Sequence, residues 1–308
     1  MTQHQYTFRA SDGIDLTGYR WDPTGPPLAA AVLVHGMGEH ALRYGELAAT
    51  LARLGYVVHG YDHRGHGASS DPDARGVLGP GGWQALVADI GVMTDQVRAE
   101  TPGVPIVLIA HSMGSFATQQ FLLDNSGRID AVVLTGTGAL DLLEPALDLE
   151  QDLDLALFNA SFAPARTDFD WLSRDNAAVD AYLADPLCGF GIDRESTKAM
   201  FEAARRLNDP AQVGRIRFDL PIYIAVGSQD PVNANLALVE ILAQRLQEAG
   251  VEDVTVRVYP GARHELFNEI NRAEVRGDLV DWLVHGLIRR DTEVSHGARP
   301  PLPQDAGR

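Results

Sequence analysis

Short apolar runs alternate along this chain with longer stretches in which apolar residues recur at helical spacing. The first two runs, 6–10 and 16–21, read as strands joined by a turn at Ser11-Asp12-Gly13. A fully apolar run at 29–35 then ends in Gly36-Met37-Gly38. Helical spacing follows over 44–54 and stops at Gly55, and 57–61 is the next strand. The pattern repeats: a helix over 83–98, a strand over 104–110, a helix over 115–123 and a strand over 129–134. Near the end, strands are predicted at 222–226 and 254–258, with helices at 235–248 and 269–288. Short apolar strands alternating with helices predict a mostly parallel sheet covered on both faces.

The alternation breaks between 139 and 215. That stretch is rich in Leu, Asp and Ala and holds no comparable strands, so it reads as a helical insertion above the sheet edge. The expected organisation is a core in two parts, 1–138 and 216–290, with a helical cap at 139–215. The tail, 291–308, carries Pro300, Pro301 and Pro303 with few apolar residues, and disorder is expected there.

The strand at 104–110 ends abruptly at His111-Ser112-Met113-Gly114, with small residues at Ala110 and Gly114, two positions either side of Ser112. Small residues there let a strand turn sharply into a helix, which lifts a serine hydroxyl above the sheet edge. A serine hydroxyl is a poor nucleophile at neutral pH; it needs a histidine to take its proton and a carboxylate to orient that histidine. In a doubly wound sheet such groups sit just past the carboxyl ends of strands. Asp230 follows the strand 222–226 after Gly227-Ser228-Gln229, and His264 follows the strand near 254–258 after Pro260-Gly261-Ala262-Arg263. Each is ordinary alone: Asp230 reads equally as a turn residue, and His264 as a capping or surface histidine. Their joint occurrence, in the order Ser112, Asp230, His264, is what singles them out. An oxyanion would need two backbone N–H donors, and the candidates are Met113 and Met37, the latter in the glycine-flanked turn after the third strand. His35 is expected to shape that loop rather than act as a base.

Composition narrows the partners. With 25 Lys and Arg against 42 Asp and Glu, the formal charge is −17, which argues against nucleic acid and anionic membranes as main partners. A single cysteine, Cys188, excludes an intramolecular disulfide and fits a reducing, cytoplasmic setting. Met1-Thr2-Gln3-His4-Gln5-Tyr6 lacks the basic and apolar regions of a signal peptide, and no apolar run approaches the ~20 residues that span a bilayer. No stable membrane insertion is therefore expected.

Taken together, five motifs resemble the monoacylglycerol lipase and lysophospholipase-like branch of the serine α/β-hydrolases. They are His35-Gly36-Met37-Gly38-Glu39-His40 with Arg43-Tyr44, Asp62-His63-Arg64-Gly65-His66-Gly67-Ala68-Ser69, His111-Ser112-Met113-Gly114, Gly227-Ser228-Gln229-Asp230-Pro231-Val232 and His264-Glu265-Leu266. The resemblance covers about 30–288. It implies the α/β-hydrolase fold, ester hydrolysis without a cofactor and a helical cap over the site. Ala110 departs from the usual first glycine of the turn. The expected substrate is a small or single-chain ester; a thioesterase or peptidase on the same triad, or a non-catalytic binding protein with this fold, are the alternatives.

Two other features compete for attention. His59, Asp62, His63 and His66 lie close in sequence, but a strand and a glycine-containing turn aim them apart, so no metal site is expected there; the resemblance makes this turn a brace near the oxyanion loop. Phe158, Phe162, Trp171 and Phe190 in the insertion are candidates to line an acyl pocket, packing of the cap itself being the alternative.

Overall fold

A computed structural model describes residues 3–296, with side chains to residue 285. Its centre is an eight-stranded sheet in the order β1-β2-β4-β3-β5-β6-β7-β8. The strands are β1 (Gln3–Arg9), β2 (Asp15–Trp21), β3 (Ala29–Val34), β4 (Tyr56–Tyr61), β5 (Ile106–His111), β6 (Ala131–Thr135), β7 (Ile222–Gly227) and β8 (Val254–Tyr259). β1 and β2 pair antiparallel, β2 pairs antiparallel with β4, and every other pairing is parallel.

The period of two inside the apolar runs sorts the sheet's two faces. In β3, Ala30, Val32 and Val34 face one cluster while Ala29, Ala31 and Leu33 face the other; in β5, Ile106, Leu108 and Ala110 oppose Val107 and Ile109. The first cluster is completed by α2 (Gly82–Glu100), α3 (Met113–Asn125) and α7 (Ala237–Glu248), the second by α1 (Gly45–Arg53) and α8 (Arg272–His296). Helices on both faces explain why β3 to β7 are buried throughout and read as largely apolar runs, His59 of β4 being the polar interruption. The outer strand β8 pairs with β7 alone and keeps exposed residues.

Several boundaries differ from the sequence reading; β5 starts at Ile106 rather than 104, α3 at Met113 rather than 115 and α8 at Arg272 rather than 269. Helix α7 starts at Ala237 rather than 235, because Asn235 and Leu236 adopt positive φ angles of 54° and 74°. Helix α8 runs on to His296, so 291–296 of the expected tail are helical; 297–308 lie outside the described residues.

Between β6 and β7, no strand occurs among the described residues. The first half of this segment consists of short 3-10 turns at Leu140–Leu142, Glu144–Ala146, Leu155–Phe162 and Asp170–Leu172. The second half carries α4 (Asn176–Ala184), α5 (Arg194–Ala204) and the single turn α6 (Pro210–Val213). Aspartates favour these turns: Asp148, Asp154 and Asp175 each accept a hydrogen bond from a backbone N–H two residues on. The segment's Leu140, Leu155, Trp171, Tyr182, Met200 and Phe201 join the same buried cluster as the strands, so it is packed onto the core.

Candidate active site

Four of the sequence motifs meet beyond the carboxyl ends of β3, β5, β7 and β8, around the point where the strand order reverses next to β3. β5 ends at His111 and α3 begins at Met113, so Ser112 alone makes the turn, at φ 49° and ψ −122°. A positive φ on a residue with a Cβ is strained, and that strain is held by its surroundings. Ser112 N–H donates to the Thr135 carbonyl (2.9 Å), and the Ser112 carbonyl accepts from Ser115 Oγ (2.7 Å) and Phe116 N–H (3.0 Å). Only glycine fits at 114, where any Cβ would strike the Val34 and His35 carbonyls. Ala110 is fully buried in the sheet, and its methyl is accommodated.

His264 and Asp230 form a buried pair. His264 Nδ1 donates to Asp230 Oδ2 at 2.9 Å, and Asp230 Oδ1 accepts the Val232 N–H at 2.9 Å. Side-chain exposures of 2% and 0% exclude water from this contact. Burial works against a charged His264, yet the Asp230 charge and hydrogen bond outweigh it and hold its pKa above the ordinary histidine value. The rings of His111 and Trp171 pack against His264 at centroid distances of 4.7 and 4.8 Å.

Ser112, His264, Met37 and Met113 line one cavity. Its wall is apolar, made by Phe116 of the core and by Leu140, Leu143, Leu147, Leu153, Phe158, Trp171, Met200 and Phe201 of the insertion. Of the four aromatics singled out in sequence, Phe158 and Trp171 lie in this wall. Phe162 does not: the Arg263 guanidinium covers its ring at 4.3 Å. Phe190 does not either; its ring lies against His66 at 5.1 Å, and its backbone abuts Gly38.

The histidines outside the pair brace loops. His35 Nδ1 donates to the Gly36 carbonyl (2.8 Å), while its Nε2 accepts the His63 N–H (2.9 Å). Asp62 accepts from Tyr19 Oη and from the Ala41 and Ala68 N–H groups, all within 2.9 Å, and Tyr6 Oη bonds His59 Nδ1. Cys188 is half-buried, and burial pushes its thiol pKa up, away from nucleophilic use.

A polar network had no role in the sequence reading, although its residues sit inside the quoted motifs. Glu39 accepts from Gly36 N–H, Tyr44 Oη (2.7 Å) and Arg43 (2.7 Å), and Arg43 forks onto Glu265 at 2.5 and 2.7 Å. Burial raises the Glu39 pKa against the pull of Arg43. Both carboxylates line the cavity, so its otherwise apolar wall carries one charged patch. The spacing Glu39, Arg43 predicts contact on a helical turn, but nothing in sequence brings Glu265 to them.

Comparison with known proteins agrees with this architecture. Residues 25–271 match the family described as serine aminopeptidase, S33. Human monoglyceride lipase is 32% identical over 94% of this chain and 92% of its own length. The monoacylglycerol lipase of Mycolicibacterium smegmatis is 28% identical, over 93% and 99%. A thermostable carboxyl esterase from Bacillus coagulans superposes with a TM-score of 0.82 at 24% identity, over 92% of this chain and 99% of that one, and shows the shared fold. The chain therefore belongs to the α/β-hydrolase family of serine hydrolases, in the group that holds the monoglyceride lipases.

Proposed function

We propose that this protein is a serine carboxylic-ester hydrolase acting on esters with a single apolar acyl chain, monoacylglycerols first among them. The observation that carries the reading is the convergence of a strained, cavity-facing Ser112 with the buried His264–Asp230 pair in one apolar cavity. Asp230 occupies Nδ1 of His264, which leaves Nε2 as the base. Ser112 attacks the ester carbonyl and its proton passes to Nε2; Asp230 stabilises the imidazolium. The Met37 and Met113 N–H groups receive the oxyanion. The imidazolium then protonates the leaving alcohol, and water cleaves the acyl-enzyme by the same route. The relatives named for monoacylglycerol support the substrate class.

The insertion at 139–215 acts as the cap that selects the acyl chain. Its run 140–154 half-buries Leu143, Leu147, Leu149 and Leu153 and exposes Asp148, Glu150, Asp152 and Asp154. An acidic exterior is repelled by anionic headgroups, whereas surface-binding helices usually present Lys or Arg. Dispersed esters are thus preferred to anionic lipid surfaces. Among the described residues, no helix is long and apolar enough to cross a membrane. The cytoplasmic setting rests on the lone cysteine.

One observation favours a second reading, peptide hydrolysis: the matched family is described as a serine aminopeptidase, and two carboxylates face the cavity. Arg43 bonds both, which leaves little free charge for a substrate ammonium.

The test is hydrolysis of a graded series of nitrophenyl esters, monoacylglycerols and aminoacyl anilides by the wild type and Ser112→Ala. Turnover of medium- or long-chain monoesters that falls by on the order of 10⁴ in the variant is expected. Faster cleavage of anilides than of esters establishes the peptidase reading instead. Strong flotation with anionic vesicles, or activity only above substrate aggregation, overturns the preference for dispersed esters.

A further inference from the structure

His40, Asp185 and Cys188 stand together where the oxyanion loop meets the cap, away from the cavity wall. From the structure we infer that these three side chains form a binding site for a thiophilic divalent cation of the zinc class, and that the bound ion clamps the segment 185–190 onto the loop 36–40.

The donor set is the first ground. One imidazole nitrogen, one carboxylate oxygen and one thiol sulfur all lie within 4.8 Å of one another. Imidazole, thiolate and carboxylate are the ligands zinc takes, with a water free to fill the fourth tetrahedral position. Zinc–nitrogen and zinc–oxygen bonds of about 2.0–2.2 Å and a zinc–sulfur bond of about 2.3 Å set the donors about 3.5 Å apart. The widest donor separation needs to close by roughly 1 Å, while the His40–Asp185 pair, at 2.9 Å, opens as its hydrogen bond gives way to the metal.

Charge is the second ground. A thiolate and a carboxylate together neutralise a divalent cation, so loading leaves no net charge at a half-buried site. Two guanidiniums reach this region, and both are committed: Arg43 to Glu39 and Glu265, Arg75 to the Pro186 carbonyl at 2.6 Å. On loading, the Cys188 S–H proton leaves to solvent, the imidazole proton that His40 Nε2 shares with Asp185 moves to Nδ1, the three ligand–metal bonds form, and the hydrated ion releases its waters except the one that fills the fourth position.

Preorganisation is the third. Asp185 Oδ1 is fixed by the Leu187 N–H at 2.8 Å, which leaves Oδ2 to face His40 Nε2 at 2.9 Å. Cys188 N–H bonds the Asp185 carbonyl at 3.1 Å, closing a turn that presents both side chains to the same side. The turn is already stitched to the loop: Gly189 N–H and Tyr182 Oη both donate to the Gly38 carbonyl, at 3.0 and 2.9 Å. His40 is 6% exposed, and its Nδ1 is buried without a hydrogen-bond partner. With no second-shell acceptor on Nδ1, affinity should fall about 10- to 100-fold short of a fully supported site, as in a reversible rather than a structural metal centre.

The experiment is titration of the metal-free protein with Co²⁺, followed by displacement with Zn²⁺. Cys188 is the chain's single cysteine, so a thiolate-to-cobalt charge-transfer band reports this residue alone. The expected result is a band that saturates at one ion per chain and is abolished by zinc. It vanishes in Cys188→Ser, and apparent affinity weakens at least about tenfold in His40→Gln and Asp185→Asn. Hydrogen exchange on zinc addition should slow at 36–40 and 185–190. Thermal melts check that each variant folds; should Cys188→Ser fail, the other two variants decide. Absence of the band, saturation at one ion per two chains, or unchanged affinity in His40→Gln overturns the three-ligand site.

Discussion

His264 and a cluster of three other buried histidines lie near the loop 36–40 and are driven in opposite directions. His264 has a carboxylate on its Nδ1, and its pKa is raised. His35, His63 and His66 are each 0% exposed and pack ring to ring, at centroid distances of 4.4 Å for His35 and His63 and 5.3 Å for His35 and His66. Their polar partners are carbonyls and backbone N–H groups, with no carboxylate among them. Burial, joined by repulsion from neighbouring histidines, holds His35 well below the ordinary value and His63 at about 3, and burial holds His66 at about 4. Burial is common to all four rings, so the carboxylate decides the outcome. In the proposed mechanism the first arrangement serves as a base that carries a proton mid-reaction; the second makes neutral struts that hold one loop conformation.

Breaking the first arrangement should give the largest effect. His264→Ala is expected to cut kcat/KM for a monoester by on the order of 10⁴ or more, and Asp230→Asn by a similar order, with circular dichroism unchanged. An Asp230→Asn enzyme that keeps a tenth of its turnover would show that the pair is structural.

Acid should break the second. A histidine with a lowered folded-state pKa is neutral in the native protein while the unfolded chain takes up protons below about pH 6.5. The unfolded state then binds more protons, so stability falls as pH falls from about 6.5 toward the folded values near 4 and 3. Each such group contributes up to about 1.4 kcal/mol per pH unit in that window. His264 opposes this: its raised value adds stability below the unfolded pKa that is lost as pH rises through the folded one. Urea midpoints between pH 7 and pH 4.5 should therefore drop steeply, and a flat profile would mean that the cluster takes up protons as readily folded as unfolded.

Substitution separates the groups at smaller scale. His66→Ala removes a fully buried ring that touches Phe190, and should cost about 2–3 kcal/mol in denaturant unfolding. Its kcat should change less than about tenfold, because no proton of the reaction passes through it. A loss of activity matching that of His264→Ala, in a folded variant, would assign the cluster a chemical role.

The smallest effect sharpens the comparison most. The acidic limb of kcat/KM reports the ionisation of free His264, which must be neutral to accept the serine proton. Activity should rise with pH through a midpoint above about 6.5. Residual activity in Asp230→Asn should show that midpoint moved down, toward the values of the struts. An unmoved midpoint would break the claim that Asp230 sets the direction.

Much of this arrangement is legible in the sequence because backbone constraints leave compositional marks. Ser112 stands between Ala110 and Gly114 since a sharp strand-to-helix turn tolerates no bulk there. Asp230 and His264 announce themselves by following strands, and β3 to β7 by being apolar on both faces. The cap is less legible. Its turns are built from aspartate side chains and lack the 3.6 period, so sequence places Phe158 and Trp171 beside Phe162 and Phe190 with nothing to tell pocket wall from scaffold. Phe162 is claimed by Arg263 and Phe190 by His66, contacts between residues about a hundred positions apart or more. The Glu265 bridge to Arg43 escapes for the same reason, spanning 222 positions.

Helix α3 carries a kinetic consequence. It begins on the residue after Ser112, and every side chain from Met113 to Leu123 is buried. A helix with no solvent face has no local opening mode of its own; its amide protons exchange only when the whole core opens. The seat of the nucleophile is thus as durable as the domain, whereas the first half of the insertion is built of short turns whose Leu143, Leu147, Leu149 and Leu153 are only half-buried. On warming, substrate selectivity should loosen before the capacity for acylation disappears, and a small reagent that needs no cap should go on labelling Ser112 up to global melting.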